Sequence, residues 1–333
     1  MIVSATTDLH SRIASAARRR FGASRLAELA PLAGGHSGLT WVAALSVADG
    51  SERLIVVKSA PEGREPVGRH DVLRQARVIQ ALHDWGGLEV PEVYFSDAGA
   101  PPFFAMEHID GRGDEPLLSE GGLPEPPDVI AGLWEQAVVN LAELSRADPD
   151  ELGLGAGEPR RSPADELARW RATARSAGQD LEAKAAPLAH ALEARAPRAA
   201  RLGLLHGDFR IGNMLRHDGV IRALIDWEIW SLGDPRADLG WLVLFTDPSA
   251  FGGLAQPVGG TPEGAAVVAR YEELTGRAVD DLDWFRALAC FKLAAIQGHN
   301  LRRHREGRRH DPYLERFRHS IDRLLEVGLM GLS

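Results

Sequence analysis

The stretch that most constrains this chain is Leu204-Leu205-His206-Gly207-Asp208-Phe209-Arg210-Ile211-Gly212-Asn213-Met214-Leu215, followed by Ile221-Arg222-Ala223-Leu224-Ile225-Asp226-Trp227-Glu228. Two apolar runs joined by the polar turn Arg216-His217-Asp218-Gly219 predict a β-hairpin-like unit at the base of a cleft, each run presenting a carboxylate at a turn. Asp208 and Asp226 then lie close together, with Asn213 between them. Such a set supplies hard oxygen ligands and a base, suited to holding Mg2+ against a triphosphate while orienting a hydroxyl. Either aspartate alone reads equally well as a turn former. The spacing of the three together carries the signal.

With 333 residues the chain exceeds the usual single-core size, so a bilobed unit or two domains is expected. The formal charge of −9 argues against a general nucleic-acid binder, which needs a basic face, without forbidding a phosphate held by local Lys and Arg. Cys290 is the only cysteine, which rules out a disulfide framework and a thiolate zinc site. Its neighbours Ala289 and Phe291 predict a buried structural thiol. No apolar run approaches the roughly 18 to 20 residues that span a bilayer, and the N-terminus carries no signal-like apolar region. A cytoplasmic protein without a membrane partner is expected.

Residues 8–30 predict one or two short amphipathic helices. The Gly-rich segment Gly34-Gly35-His36-Ser37-Gly38 then enters a strand from Leu39, and Asp49-Gly50 turns it into a second strand, Arg53 to Lys58. Glycines at such a place let backbone N–H groups approach phosphates, although a simple turn uses the same residues. Lys58 ends the run Leu54-Ile55-Val56-Val57 and by alternation points inward, where its ammonium needs an anion. A helix over 69–84 and strands at 90–95 and 103–107 follow. From Asp110 to Pro127 the composition turns to Gly, Pro and acids, which marks a linker in which Asp114, Glu115, Glu120 and Glu125 read as solvated. Beyond it the chain is mainly helical: Asp128 to Arg146, Ala164 to Ala177, Leu181 to Ala194, an apolar helix through Phe245, a mobile Gly/Pro-rich loop from Asp247 to Pro262, then Pro262 to Thr275, Leu282 to Arg305 and Pro312 to Val327.

These residues resemble the aminoglycoside phosphotransferase and choline kinase-like branch of the protein-kinase-like fold. Leu224-Ile225-Asp226-Trp227-Glu228 followed by Leu232-Gly233-Asp234-Pro235-Arg236-Ala237-Asp238-Leu239-Gly240 is most similar to the kinase-like domain found fused to acyl-CoA dehydrogenases. The resemblance implies a bilobed α+β fold: a small antiparallel-sheet lobe over 1–106, a hinge and linker over 107–127, and a helical lobe over 128–333. It implies transfer of a γ-phosphoryl group from ATP, or GTP, with Mg2+, to a hydroxyl of a small molecule. Asp208 matches the catalytic-loop aspartate, Asn213 and Asp226 the metal ligands, with Glu228 as a secondary ligand. Arg210 stands where a lysine meets the transferred phosphate. His206 and Asp238 match supports of the loop. Gly34, Gly35, Ser37, Gly38 and Lys58 match phosphate contacts, and the backbones of Glu107 and Ile109 the adenine-reading hinge. One departure is Gln75, where the family often has a glutamate that pairs with the strand lysine.

For the acceptor, Lys292, Ile296, His299 and Arg303 recur at helical spacing, and the basic side chains of this stripe are expected to face an anionic acceptor such as a hydroxyacyl-CoA or hydroxy acid. Arg302, Arg305, Arg308 and Arg309 extend that reading, or form a solvated face. An aminoglycoside, being polycationic, is the alternative acceptor and requires an acidic wall. A nucleotide-binding pseudokinase is the alternative of another class, with Gln75 as its one supporting feature. The absence of an Ala-Pro-Glu segment after Asp226 argues against a protein kinase.

Overall fold

The computed structural model describes residues 2–22, 25–32, 39–61, 70–119, 125–198, 201–308 and 311–332. The glycine-rich positions Gly34, Gly35, Ser37 and Gly38, together with Glu120 and Arg309, lie outside them.

The chain opens with α1 (Ile2–Phe21), a single helix where one or two were expected. Gly22, at φ +83°, ends it, and Leu26 does not continue a helix: it sits in the short strand β1 (Arg25–Leu26), paired with Leu45. After β2 (Ala30–Pro31), strands β3 (Leu39–Ser46) and β4 (Glu52–Ser59) form a hairpin across Asp49-Gly50, where the Asp49 carboxylate accepts from the Ser51 amide and hydroxyl. β5 (Val93–Asp97) and β6 (Phe103–Glu107) complete an antiparallel sheet in the order β1-β3-β4-β6-β5, with β2 alongside β3. Alternation divides this sheet into two faces. Ala43, Leu45, Ile55, Val57, Phe103 and Ala105 pack beneath Leu9, Ile13 and Ala17 of α1. Phe104, the register partner of Lys58, points the other way, towards α2 (Val72–Trp85).

The helical part holds α3 (Pro127–Leu144), α4 (Pro163–Ala177), α5 (Gln179–Ala194), α6 (Arg236–Leu244), α7 (Gly264–Thr275), α8 (Leu282–Arg305) and α9 (Arg318–Met330). A reciprocal Ser162/Asp165 capping box starts α4. The long α8 is the axis, with α4, α5, α6 and α9 packed around it. Cys290 lies in its buried middle, and burial pushes its thiol up to about 12. Two expectations change here. The segment 247–262 is anchored by a 3-10 turn that buries Ala250 and Phe251, whose carbonyl accepts from Ser320 Oγ at 2.7 Å. The last predicted helix splits, because Asp311 caps a separate 3-10 turn over Pro312–Glu315 before α9 begins. The whole is the bilobed α+β, protein-kinase-like fold. Among the described residues no helix is long and apolar enough to cross a membrane.

Candidate active site

The central stretch folds as two nested strand pairs. β7 (Gly203–Leu205) pairs with β10 (Ser231–Gly233), and inside them β8 (Met214–His217) pairs with β9 (Val220–Leu224). Asp218 and Gly219, both at positive φ, make the tight turn, so Arg216 and His217 belong to the strand and not to the turn as expected. Asp208 sits in the loop between β7 and a 3-10 turn over Ile211–Asn213, and Asp226 follows β9 in the left-handed region at φ +67°. A non-glycine residue there is strained and persists only where its surroundings hold it.

The Asp208 carboxylate is fixed by three donors. Trp241 Nε1 and Arg210 Nε donate to Oδ1 at 2.9 and 3.2 Å, and Asn213 Nδ2 donates to Oδ2 at 2.8 Å. The Asn213 amide nitrogen also donates to the Asp208 carbonyl at 2.7 Å, so both of its bonds go to Asp208. Asp226 Oδ1 accepts from Lys58 Nζ at 3.2 Å, and Lys58 also donates to Gln75 Oε1 at 3.1 Å. Burial alone would raise the Asp226 carboxyl, but the charge and hydrogen bond of Lys58, with Arg210 adding to them, outweigh it and hold it below the ordinary range. The same balance applies to Arg210: burial opposes its charge, and Asp208 and Glu115 more than compensate, so its basicity rises.

Behind these groups the loop is pinned by buried polar side chains. Asp238 accepts from the amides of His206 and Gly207 at 2.7 and 3.0 Å. His206 Nδ1 accepts from the Asp208 amide at 3.1 Å and Nε2 donates to the Ile225 carbonyl at 2.9 Å, which ties the Asp208 loop to the Asp226 turn. Both ring nitrogens are thereby assigned in the neutral form, and burial lowers the basicity of this histidine. Gly207, at φ +87°, admits no side chain, since a Cβ would come within 2.7 Å of the Ile229 carbonyl.

One cleft of about 620 Å3 gathers Asp208, Arg210, Asp226, Glu228 and His299. His299 Nδ1 bonds Ser176 Oγ at 2.8 Å. Glu107 closes β6, its amide donating to the Glu92 carbonyl, and Ile109 follows two residues on, half-buried.

Three expectations need correction. Lys292 does not face an acceptor: it is 7% exposed and donates to the Gly207 carbonyl, with its ammonium 4.1 Å from the centre of the Trp241 ring. Arg303 is not among the residues lining the cleft, because the cleft crosses only the middle of α8 and the last turns of the helix leave it. There Arg302 and Arg308 pair with Glu306, and Arg305 with Glu315, as surface ion pairs. Finally, the acids of the linker are not simply solvated. Asp114 accepts from the buried Arg216, and Glu115, itself buried, accepts from the Gly212 amide at 3.0 Å and faces Arg210. Burial raises the Glu115 carboxyl, against the pull of Arg210.

Sequence reasoning missed Trp241 and Glu115 as partners of the catalytic loop. A signal existed for the first: Trp241 stands one helical turn after Asp238, so a brace at 238 places 241 on the same face. No local signal marked Glu115.

The chain matches the phosphotransferase enzyme family over residues 28–288. It is 29% identical to acyl-CoA dehydrogenase family member 11 of Gallus gallus over 262 residues, covering 72% of this chain and 33% of that protein. The chain thus spans about a third of the length of the curated relatives it matches. Among solved structures, a candidate aminoglycoside phosphotransferase from Ralstonia eutropha superposes with a TM-score of 0.78 at 21% identity, covering 97% of each chain. The choline kinase LicA from Streptococcus pneumoniae gives 0.62 at 14% identity, covering 96% of this chain and 99% of that one, and LicA is also known in complex with AMP. By the extent of the family match, with the fold in agreement, this chain belongs to the phosphotransferase enzyme family.

Proposed function

We propose that the protein is an ATP- and Mg2+-dependent kinase that phosphorylates a hydroxyl of a small acceptor carrying an apolar segment and an anionic group, of the hydroxy acid or hydroxyacyl-CoA type. The observation that carries the reaction is the Asp208 carboxylate, held on the cleft by three donors beside the Lys58–Asp226 pair. In this reading the acceptor oxygen forms its bond to the γ-phosphorus as the bond to the β-phosphate bridge breaks, and the hydroxyl proton passes to Asp208. Arg210 balances charge that develops on the phosphoryl oxygens. Lys58, the Glu107 and Ile109 backbones and the Gly34, Gly35, Ser37 and Gly38 loop are the nucleotide contacts.

The donor set fits Mg2+. Among the described residues no three His, Cys, Asp or Glu side chains form a ready metal cage, and Mg2+ characteristically takes one or two carboxylates together with phosphate oxygens and water. Asp226 and the Asn213 amide oxygen would hold it, with Glu228 as an additional ligand. When bound it neutralises charge on the phosphates.

The cleft walls support this acceptor class. Trp170, Trp241, Phe245 and Ile296 give it apolar surface. Aromatic faces suited to an external cation already carry internal ones: Arg169 over Trp170, Lys292 over Trp241 and Arg210 over Phe245. An anionic group meets Arg169 and Arg210 as partners, whereas a polycationic aminoglycoside would have to pair with the cleft carboxylates Asp208, Asp226, Glu228 and Asp311, the first three of which this reading gives to the reaction and the metal.

The test is phosphate transfer from Mg·ATP, and from Mg·GTP, to hydroxy acids, hydroxyacyl-CoAs and aminoglycosides by wild type and Asp208→Asn. Phosphorylated acid or acyl product from wild type, reduced about 10^3-fold in the variant with nucleotide still bound, is expected. Turnover of the antibiotics alone would overturn the acceptor class. Nucleotide binding without transfer to any acceptor would make the chain a pseudokinase.

A further inference from the structure

Two buried groups near the catalytic loop have no part in the reaction as proposed, Trp241 and Lys292. Asp238 and His206 hold the backbone of the loop that carries Asp208, but the Asp208 carboxylate can still turn about two side-chain bonds. Of its three donors, Arg210 and Asn213 come from the same loop, two and five residues on, and move with it. Among the described residues, only the Trp241 indole N–H reaches the Asp208 carboxylate from a separate rigid element, α6. That ring is 2% exposed and cannot swing away without opening the core.

Lys292 is placed to hold both sides of this contact. Its ammonium lies 4.1 Å from the Trp241 ring centre and 5.1 Å from that of Trp170, and it donates to the carbonyl of Gly207, the residue before Asp208. Burying an ammonium is costly unless it is paired. Among the described residues its hydrogen bond goes to a backbone carbonyl and not to a carboxylate, so the arrangement fixes loop and ring together instead of forming a simple ion pair.

We propose that Trp241, propped by Lys292, is a positioning residue for the catalytic base: the indole N–H sets the orientation of the Asp208 carboxylate, and the ammonium locks the indole to the loop that carries Asp208. This rests on the kinase reading above, and the test separates the two.

Trp241→Phe keeps a ring over Lys292 and removes only the N–H. It lowers kcat about tenfold, for acceptor phosphorylation and for background ATP hydrolysis in which water replaces the acceptor, while KM for ATP stays within about twofold. Lys292→Met lowers kcat in the same direction. The double variant is less than the product of the singles, because both act through one carboxylate. A second readout needs no turnover. In protein labelled with 15N at its eight tryptophans, the indole N–H signal lost in Trp241→Phe is that of Trp241. It shifts in Asp208→Asn and in Lys292→Met if the three groups form one unit. Wild-type kcat in Trp241→Phe, or an indole signal indifferent to Asp208→Asn, overturns the inference. A wild-type protein that neither transfers phosphate nor hydrolyses ATP overturns the kinase reading instead, and the spectra still decide whether Trp241 and Lys292 hold Asp208.

Discussion

Behind the cleft, the sheet and the helical part each hold one largely buried lysine, and the two are stabilised in opposite ways. Lys58, on β4, has a side chain 13% exposed and touches Asp226 and Gln75, polar groups whose place a phosphate oxygen takes in the proposed reaction. Lys292, on α8, touches a backbone carbonyl and aromatic faces that belong to the fold and cannot be exchanged. One cation is set to change partners and the other to hold still. The comparison teaches that burial of a lysine says little about its task until its partners are named. It also divides the consequences of mutation: on the sheet side they appear in the handling of ATP, on the helical side in kcat and in folding.

The largest effect tests the exchangeable lysine. Lys58→Met removes the cation proposed to meet the phosphates, and kcat/KM for ATP falls about 10^2- to 10^3-fold, measured by steady-state ADP release. Its cost in stability stays below about 1 kcal/mol, because the Asp226 side chain is 35% exposed and Arg210 still opposes the cost of its burial. A large loss of stability with ATP kinetics unchanged would reverse the assignment.

The fixed side gives the next largest. Asp238→Asn replaces one of two carboxylate oxygens with a donor, sets an N–H against the amide of His206 or Gly207, and strips the buried Lys292 of a nearby counter-charge. The expected cost is about 3 kcal/mol in urea unfolding. A cost under about 1 kcal/mol would mean that the loop is held elsewhere.

The same contrast explains what was legible in the sequence. The Asp208, Asn213 and Asp226 arrangement is local, spanning one loop and one hairpin, so spacing alone brought it out. The inward lysine Lys58 followed from strand alternation, and Gln75 as its partner from the family resemblance. The contacts that hold the loop are long-range: Trp241 to Asp208, Lys292 to Gly207, Glu115 to Gly212. Periodicity placed Lys292 on a helical stripe, yet it could not say which side of α8 faces the cleft. A lone lysine in Ala289-Cys290-Phe291-Lys292-Leu293-Ala294 is the mark of a buried cation, and its partners lie in other elements. The linker acids were misread for the same reason, since Asp114 and Glu115 find their partners in β8 and the catalytic loop.

A smaller effect comes from His206, whose two bonds require the neutral ring. Its folded-state pKa lies below the ordinary value of 6.5, so the unfolded chain binds more protons as pH falls through that value. The stability is therefore complete above pH 6.5 and is lost on acidification, at no more than about 1.4 kcal/mol per pH unit from this group. Urea unfolding of wild type and His206→Asn at several pH values isolates it: the difference between them narrows as pH drops below 6.5. A difference constant with pH would show that the ring is not kept neutral.

The smallest effect returns to the sheet side and asks what keeps Gln75 at Lys58. Helix α2 is tied to the helical lobe through Arg74, the neighbour of Gln75. Its guanidinium bonds Glu158 Oε2 at 2.9 Å and the Trp230 carbonyl at 2.7 Å and lies 4.0 Å from the Trp230 ring centre, while Trp230 Nε1 donates back to the Arg74 carbonyl at 3.2 Å. Arg77 adds a second bond to Glu158 at 2.7 Å. Glu158→Gln removes the charge from this clamp but leaves the stacking and the Trp230 bonds, so α2 loosens without detaching. KM for ATP rises about threefold to fivefold, with kcat within about twofold, because the loss is felt by Lys58 and not by Asp208. Should Glu158→Gln lower kcat and leave KM alone, then α2 would act on the base as well as on the nucleotide, and the division between the two sides of the cleft would not hold.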